Sequence, residues 1–198
     1  AFAMKKLFLG LAVSALVCLS ASAALQVGQT APNFSARATQ AGKEFHFSLS
    51  KALQTGPVVL YFYPSAFTKG CDLEAHTFAQ NRDKFDAAGA TIIGVSADSI
   101  ARLDAFSSDP KYCAGKFPVA SDPNHKIAGS YHLAVGKGRP GLKDVRGVNI
   151  GHDFIERVTF VIGKNHKILA VFSSKKDHLR PDQHVEKALA MVQELASR

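Results

Sequence analysis

The stretch PVVLYFYPSAFTKGC, residues 57–71, decides the fold. Within it, residues 58–63 form an unbroken β-branched and aromatic run, which predicts a strand buried on both faces. Pro64 ends that run, and from Cys71 to about Ala88 the apolar residues recur at helical spacing. A second apolar run, ATIIGVSAD at 90–98, follows. Strand, helix and strand at this spacing form a βαβ unit, so the two strands are predicted to be parallel neighbours.

The rest of the chain extends this unit into one α/β domain. Residues 26–55 are predicted as an N-terminal extension with one half-buried strand at 43–50. RVTFVIGKNHKILAVF at 157–172 predicts a hairpin that turns at 164–166. Further predicted elements are a helix at 100–107, a short strand at 117–122, a helix at 124–133 and an irregular, mobile glycine-rich loop at 136–154. The chain is predicted to end in an amphipathic helix that is capped by Asp182. The buried face of this helix consists of Val185, Leu189, Val192 and Leu195. Together they predict a thioredoxin-like fold, with a central mixed sheet flanked by helices.

The first 23 residues have the features of an export signal. Residues 1–3 precede Met4 and are interpreted as a cloning remnant or a misassigned start. Two lysines after Met4 form a positive segment, residues 7–19 form an apolar core, and ASA at 21–23 provides the small residues that a signal peptidase needs. We therefore predict a Sec signal that is cleaved after Ala23.

Cleavage after Ala23 leaves residues 24–198 as a single domain, exported to the periplasm. No later stretch approaches the ~20 apolar residues of a membrane-spanning helix, so no stable membrane association is expected. The formal net charge is +8. The positive residues are scattered or lie in the segments GKGRPGLKDVRG and SSKKDHLR, without interleaved aromatic residues, so no nucleic-acid partner is predicted.

Two of the three cysteines, Cys71 and Cys113, remain after removal of the leader that contains Cys18. In an oxidising compartment such a pair is most simply a structural disulfide. Cys71, however, lies in the predicted first turn of a helix, where free backbone N–H groups and the helix dipole favour the thiolate. Thr68 places a hydroxyl nearby, and Pro64 fixes the exit from the strand. A purely structural cysteine requires none of these features.

Pro64, Thr68 and Cys71 match the pattern PxxxTxxC, by which the chain resembles the peroxiredoxins of the AhpC/TSA superfamily. Glu74 stands where that family often has an acidic residue. The resemblance continues through VGQTAPNFS, IIGVSADS, FPVASDPNHKIAGSYHL and ERVTFVIGKNHKI, in order along the chain. It is greatest with the bacterioferritin-comigratory or PrxQ branch, which is often monomeric. A monomer or weak dimer is therefore expected.

The resemblance implies a thiol peroxidase, without a cofactor or metal, that reduces hydrogen peroxide and organic hydroperoxides. Cys71 would be the nucleophile and become a sulfenic acid. Arg157 and Thr68 would donate to the transition state, and Pro64 would shield the thiolate. Arg139 and Arg146, in the glycine-rich loop, are rival donors that rank below Arg157.

Cys113 is the resolving thiol that the resemblance implies. His76 occupies the position, five residues after Cys71, where many branch members have that partner. Because 42 positions separate Cys71 from Cys113, formation of their disulfide is expected to need local unfolding. The oxidised form would be reduced by a thioredoxin-like or glutaredoxin-like partner.

Two alternatives remain open at this point. One is a one-cysteine peroxidase that is resolved by an external thiol. The other is a non-catalytic thioredoxin-fold domain in which Cys71 and Cys113 form a static bridge. A thiol-disulfide oxidoreductase with a CxxC motif is disfavoured because residue 74 is glutamate.

Overall fold

The computed structural model describes residues 23–198. Cys18 and the rest of the predicted leader before Ala23 lie outside the described residues. The strands are β1 Ser35–Gln40, β2 Lys43–Ser48, β3 Val58–Phe62, β4 Thr91–Ser96, β5 Val119–Ser121, β6 Val135–Gly136, β7 Phe154–Ile155, β8 Val158–Ile162 and β9 Ile168–Ser173. The helices are α1 Leu49–Thr55, α2 Lys69–Gln80, α3 Arg82–Ala87, α4 Ile100–Ser108, α5 Lys126–Ser130, α6 Ser174–Asp177 and α7 Pro181–Ala196.

Seven strands form one mixed sheet in the order β2-β1-β5-β4-β3-β8-β9. β3 and β4 are parallel neighbours, as the βαβ pattern predicts, and β5 lies parallel to β4. β8 and β9 form the predicted hairpin and pair antiparallel to β3. The predicted mixed sheet of a thioredoxin-like fold is therefore confirmed.

Helices cover both faces of the sheet because β3 is apolar on both sides. Val58, Leu60 and Phe62 face a core that includes residues of α1 and α5. Val59 and Tyr61 face a second core, which contains Phe78 of α2, Phe85 of α3, Leu103 of α4 and Val185 of α7, together with both Cys71 and Cys113. Every residue of β3 is buried. The strand thus anchors the loop that leads from its end to Cys71.

The helix predicted from Cys71 to Ala88 is two helices that meet at Asn81. The Asn81 side chain donates a hydrogen bond to the Thr77 carbonyl at 2.9 Å. An asparagine amide that competes for a backbone carbonyl in this way interrupts a helix. The final helix also begins differently from the prediction: Arg180 is its N-cap and Pro181 its first residue, so Asp182 lies inside the first turn and is not the cap.

The predicted N-terminal extension is part of the sheet. β1, with the sequence SARATQ, pairs with β2 on one side and with β5 on the other. The sequence prediction missed β1 because small and polar residues carry little strand propensity. Across residues 23–198, no helix combines the length and hydropathy that a membrane span requires.

Candidate active site

Cys71 is the third residue of α2, and 2% of its surface is exposed to solvent. Thr68 is the N-cap of this helix, and its carbonyl accepts the hydrogen bond of the Asp72 N–H at 2.8 Å. The Cys71 thiol therefore lies beside the open N-terminal turn of α2, as the sequence predicts. Only a small fraction of its surface reaches solvent.

Arg157, which lies between β7 and β8, reaches Cys71. Its Nη2 donates a hydrogen bond to the Cys71 Sγ at 3.2 Å, and its Nη1 pairs with the carboxylate of Glu74. A Cβ on Gly70 would lie 3.2 Å from the Arg157 Nη2, which is a close contact, so glycine at position 70 leaves room for the guanidinium. Arg157 is thus held between the thiol and a buried carboxylate, with 10% of its side chain exposed.

His184 of α7 is buried and close enough to Arg157 to be influenced by its charge. Its Nδ1 lies 3.0 Å from the Thr159 Oγ1 and its Nε2 lies 2.9 Å from the Ser174 Oγ. Burial and then the positive charge of Arg157 lower the pKa of His184 to about 4. The imidazole is therefore neutral at pH 7, and Arg157 is the cation of the site.

Thr68 and Pro64 lie in the loop between β3 and α2. The Thr68 hydroxyl donates to the Ser65 carbonyl at 2.8 Å, which closes a tight turn just before the helix. Hydrogen bonding by Thr68 also lowers the pKa of Cys71. Pro64 is half-buried and directly follows the buried Tyr63. The structure brings Thr68, Cys71 and Arg157 together, and Pro64 begins the loop that presents them.

The pKa of Cys71 differs from the expectation of an acidic thiol. Burial raises it above the ordinary value, and the Arg157 charge, followed by the hydrogen bonds of Thr68 and Ser65, lowers it only in part. The sequence prediction was wrong in sign because it did not include the burial of the helix N-terminus. Cys113, which is also completely buried, has no such cation, and burial raises its pKa well above normal. Of the two thiols, Cys71 is therefore the better placed to ionise.

Glu74 competes with Cys71 for the guanidinium. Its side chain is fully buried, and burial, opposed by Arg157, raises its pKa to about 7. The negative charge of Glu74 in turn raises the pKa of Cys71. The sequence signal for Glu74 was its acidic position three residues after Cys71, but the shared cation becomes evident only in the folded chain.

We expect Glu74→Gln to lower the pKa of Cys71. Glutamine keeps an oxygen that can accept from Arg157 but removes the competing charge. The pH dependence of iodoacetamide alkylation, measured in a Cys113→Ser background, reports this pKa. Glu44→Gln is the matched control, because Glu44 forms an exposed ion pair with Arg37. An unchanged or raised pKa in Glu74→Gln would show that the two acids do not share the guanidinium.

Cys113 lies in the turns that follow α4, inside the same apolar core as Cys71. Both thiols are free. The segment around Cys113 is tied to α2 because His76 Nδ1 lies 3.1 Å from the Lys111 carbonyl oxygen. The two sulfurs are therefore not bonded to each other, and both lie in buried segments.

The rival arginines of the glycine-rich loop do not reach the thiol. Arg139 is exposed, and Arg146 pairs with Asp144 and stacks on Phe67. The side-chain hydrogen bond to Cys71 comes from Arg157. In the part of the chain that the structure describes, no three His, Cys, Asp or Glu side chains converge to form a candidate metal site.

Comparisons with known proteins identify the family of this chain. The AhpC/TSA family model matches residues 27–171. A putative peroxiredoxin of Mycobacterium tuberculosis is 32% identical over 152 residues, covering 75% of this chain and 86% of the relative. The putative peroxiredoxin bcp of Haemophilus influenzae is 31% identical over 156 residues, covering 78% and 91%. Peroxiredoxin Q of Sedum lineare chloroplasts is 32% identical over 168 residues, covering 85% and 78%.

Solved structures give the same result. The peroxidoxin BcpB of Mycobacterium tuberculosis has a TM-score of 0.70 at 28% identity, covering 86% of this chain and 97% of that one. The bacterioferritin comigratory protein of Xanthomonas campestris has a TM-score of 0.62 at 25% identity, covering 81% and 91%. These findings confirm the predicted family and its predicted branch. The chain belongs to the AhpC/TSA family and is a peroxiredoxin, an enzyme that reduces peroxides with a thiol.

Proposed function

We propose that Cys71 is the thiol that attacks the peroxide, with Arg157 as its principal partner. The observation that carries this proposal is the 3.2 Å contact from the Arg157 Nη2 to the Cys71 Sγ. The Cys71 sulfur forms a bond to one peroxide oxygen, and the O–O bond breaks. The other oxygen takes up a proton and leaves as water or an alcohol. Sulfur is oxidised to the sulfenic acid, and the peroxide is reduced.

Arg157 would stabilise the charge that develops on both peroxide oxygens. A guanidinium stays protonated and carries five N–H donors in a rigid fork, so it can contact both the thiolate and Glu74 and still offer an N–H to the substrate. Thr68 would be the second donor. In the resting state its hydroxyl donates a hydrogen bond to the Ser65 carbonyl at 2.8 Å, and it can rotate to donate to a peroxide oxygen instead. Pro64, at the start of the loop, limits the access of water to the thiolate.

Cys113 is proposed to resolve the sulfenic acid. Its thiol would attack the Cys71 sulfur, form the disulfide and release water. Because both thiols are buried, the first turn of α2 and the turns around Cys113 would have to open first. A dithiol of the thioredoxin or glutaredoxin type would then supply two electrons and two protons, restore both thiols and itself become a disulfide.

Intact mass after one equivalent of hydrogen peroxide tests both assignments. We expect the reduced wild-type protein to lose two hydrogens, and Cys113→Ser to gain oxygen and stop at a sulfenic or higher acid. A Cys113→Ser protein that turns over normally with small thiols would favour the one-cysteine mechanism. A wild-type protein that consumes no peroxide would favour the static bridge and contradict the assignment of Cys71.

Organic hydroperoxides are proposed as substrates alongside hydrogen peroxide. The Xanthomonas campestris relative is described by its alkyl peroxide reduction activity. The leader-like first 23 residues support a periplasmic location, where the reducing partner would also have to be present.

A further inference from the structure

A buried ionic network joins the loop before Cys71 to the glycine-rich loop. We call it the Asp98 network, and it consists of Asp98, Arg102, Asp144, Arg146 and His152. The side chains of Asp98 and Asp144 are completely buried, and 9% of the Arg102 side chain is exposed. Burying charged groups costs free energy even when they are paired, so a hydrophobic cluster would stabilise the fold as well. Stability alone therefore does not explain why these charged groups are buried together, and we look for a role in function.

Asp98, just after β4, contacts polar groups from three segments of the chain. Its Oδ2 accepts from the Ala66 N–H at 2.8 Å. Its Oδ1 accepts from the Arg102 Nε at 2.7 Å and lies 2.8 Å from the His152 Nε2. The Ser65 hydroxyl lies 3.3 Å from the same oxygen. One carboxylate thus holds the backbone and a side chain of the loop that leads to Cys71.

Arg102, in the first turn of α4, binds the carbonyl side of the same loop. Its Nη2 donates to the Ala66 carbonyl at 2.9 Å and pairs with the Asp144 Oδ2 at 2.8 Å. Asp144 also pairs with Arg146 at 2.8 Å. The Phe67 ring lies next to both guanidiniums, 5.3 Å from that of Arg102 and 3.2 Å from that of Arg146. Both polar groups of the Ala66 backbone are therefore bound by the network.

The backbone conformation of Phe67 needs the support of the Asp98 network. Its φ of 59° lies in the left-handed region, which a bulky side chain adopts only when its surroundings impose it. The Val145 N–H donates to the Phe67 carbonyl at 3.0 Å, which adds a contact from the glycine-rich loop. The next residue is Thr68, the N-cap of the helix that carries Cys71. A relaxation at Phe67 would displace the Thr68 hydroxyl first.

We propose that Asp98 and Arg102 are positioning residues of the peroxidase reaction, which act through the backbone of residues 65–68 and keep Thr68 aligned with Arg157. This inference rests on the proposed role of Cys71. The glycine-rich loop, through Asp144 and His152, completes the network. Burial opposes a charge on His152, but the hydrogen bond and charge of Asp98 raise its pKa.

The test compares two reactions of the Cys71 thiol in reduced Cys113→Ser protein. Reaction with hydrogen peroxide needs aligned donors for the breaking O–O bond, whereas alkylation by iodoacetamide needs only an ionised, accessible sulfur. We expect Arg102→Lys to slow the peroxide reaction roughly 10- to 100-fold, as small displacements of catalytic groups do, with little change in the limiting rate of alkylation at high pH, where Cys71 is ionised in parent and variant alike. Asp98→Asn should behave in the same way.

Arg37→Lys is the matched control, because Arg37 makes the same type of ion pair with Glu44 on the surface. It should match the parent protein in both reactions. If Asp98→Asn does not fold, Arg102→Lys, which retains the charge, decides the question. A folded Arg102→Lys protein with the parent's peroxide rate would overturn the inference, and so would a parallel slowing of both reactions. A parent protein that does not react with peroxide would instead refute the role of Cys71.

Discussion

Cys71→Ser should abolish peroxide reduction, with a fall of at least about three orders of magnitude in the rate of peroxide consumption. Serine has nearly the same shape as cysteine, but its hydroxyl remains protonated at neutral pH and its oxygen is not oxidised by peroxide. The measurement is stopped-flow consumption of hydrogen peroxide by the reduced protein under single-turnover conditions. Because Cys71 is buried within an apolar core, the circular dichroism spectrum of the variant should also be measured to show that it is folded.

Cys113→Ser is the control for the loss of a thiol. It removes a cysteine from the same core but leaves the 3.2 Å contact between Arg157 and Cys71 in place. Its first turnover should proceed at the wild-type rate. Equal losses in Cys71→Ser and Cys113→Ser would assign the effect to a disturbed core and would argue against Cys71 as the nucleophile.

Arg157→Gln should slow the first turnover by roughly 100- to 1,000-fold, the effect of removing a preorganised donor from a developing oxyanion. It should also raise the pKa of Cys71, because Arg157 is the largest influence that lowers it. The two effects are separated by measuring the peroxide reaction across a range of pH. If only the pKa changed, the rate would recover fully at high pH, and that result would contradict a role for Arg157 in the transition state.

Arg139→Gln is the matched control for this substitution. Arg139 is exposed on the glycine-rich loop and was the sequence-based rival of Arg157. It should leave the rate unchanged. Arg157→Gln also leaves Glu74 buried without its cation, which is destabilising by several kcal/mol in comparable sites. The double variant Arg157→Gln/Glu74→Gln should regain stability without regaining rate.

Local sequence signals predicted the elements that position the thiol. The apolar runs of β3 and β4 gave the parallel pair, and the PxxxTxxC pattern gave Thr68 and Cys71 at the start of a helix. Arg157 was found through the family resemblance of its segment. These features could be predicted because each lies within one short stretch of the chain.

Other features depend on packing between distant segments, which one sequence does not reveal. Burial of the first turn of α2 reverses the predicted pKa shift of Cys71. Asp98 and Ala66 are 32 positions apart, yet they share a hydrogen bond of 2.8 Å. The loop predicted as irregular and mobile does lack long elements, but Asp144 ties it to Arg102. No periodicity in the sequence signals these contacts.

The most direct test of the central claim is to locate the first oxidised atom. Reduced Cys113→Ser protein is treated with one equivalent of hydrogen peroxide in the presence of dimedone, which traps sulfenic acids, and the adduct is mapped by peptide mass spectrometry. We predict that peroxide is consumed and that the adduct forms on Cys71. Unmodified Cys71 with the peroxide left intact would contradict the proposal that Arg157 and Thr68 make this buried thiol a peroxidase.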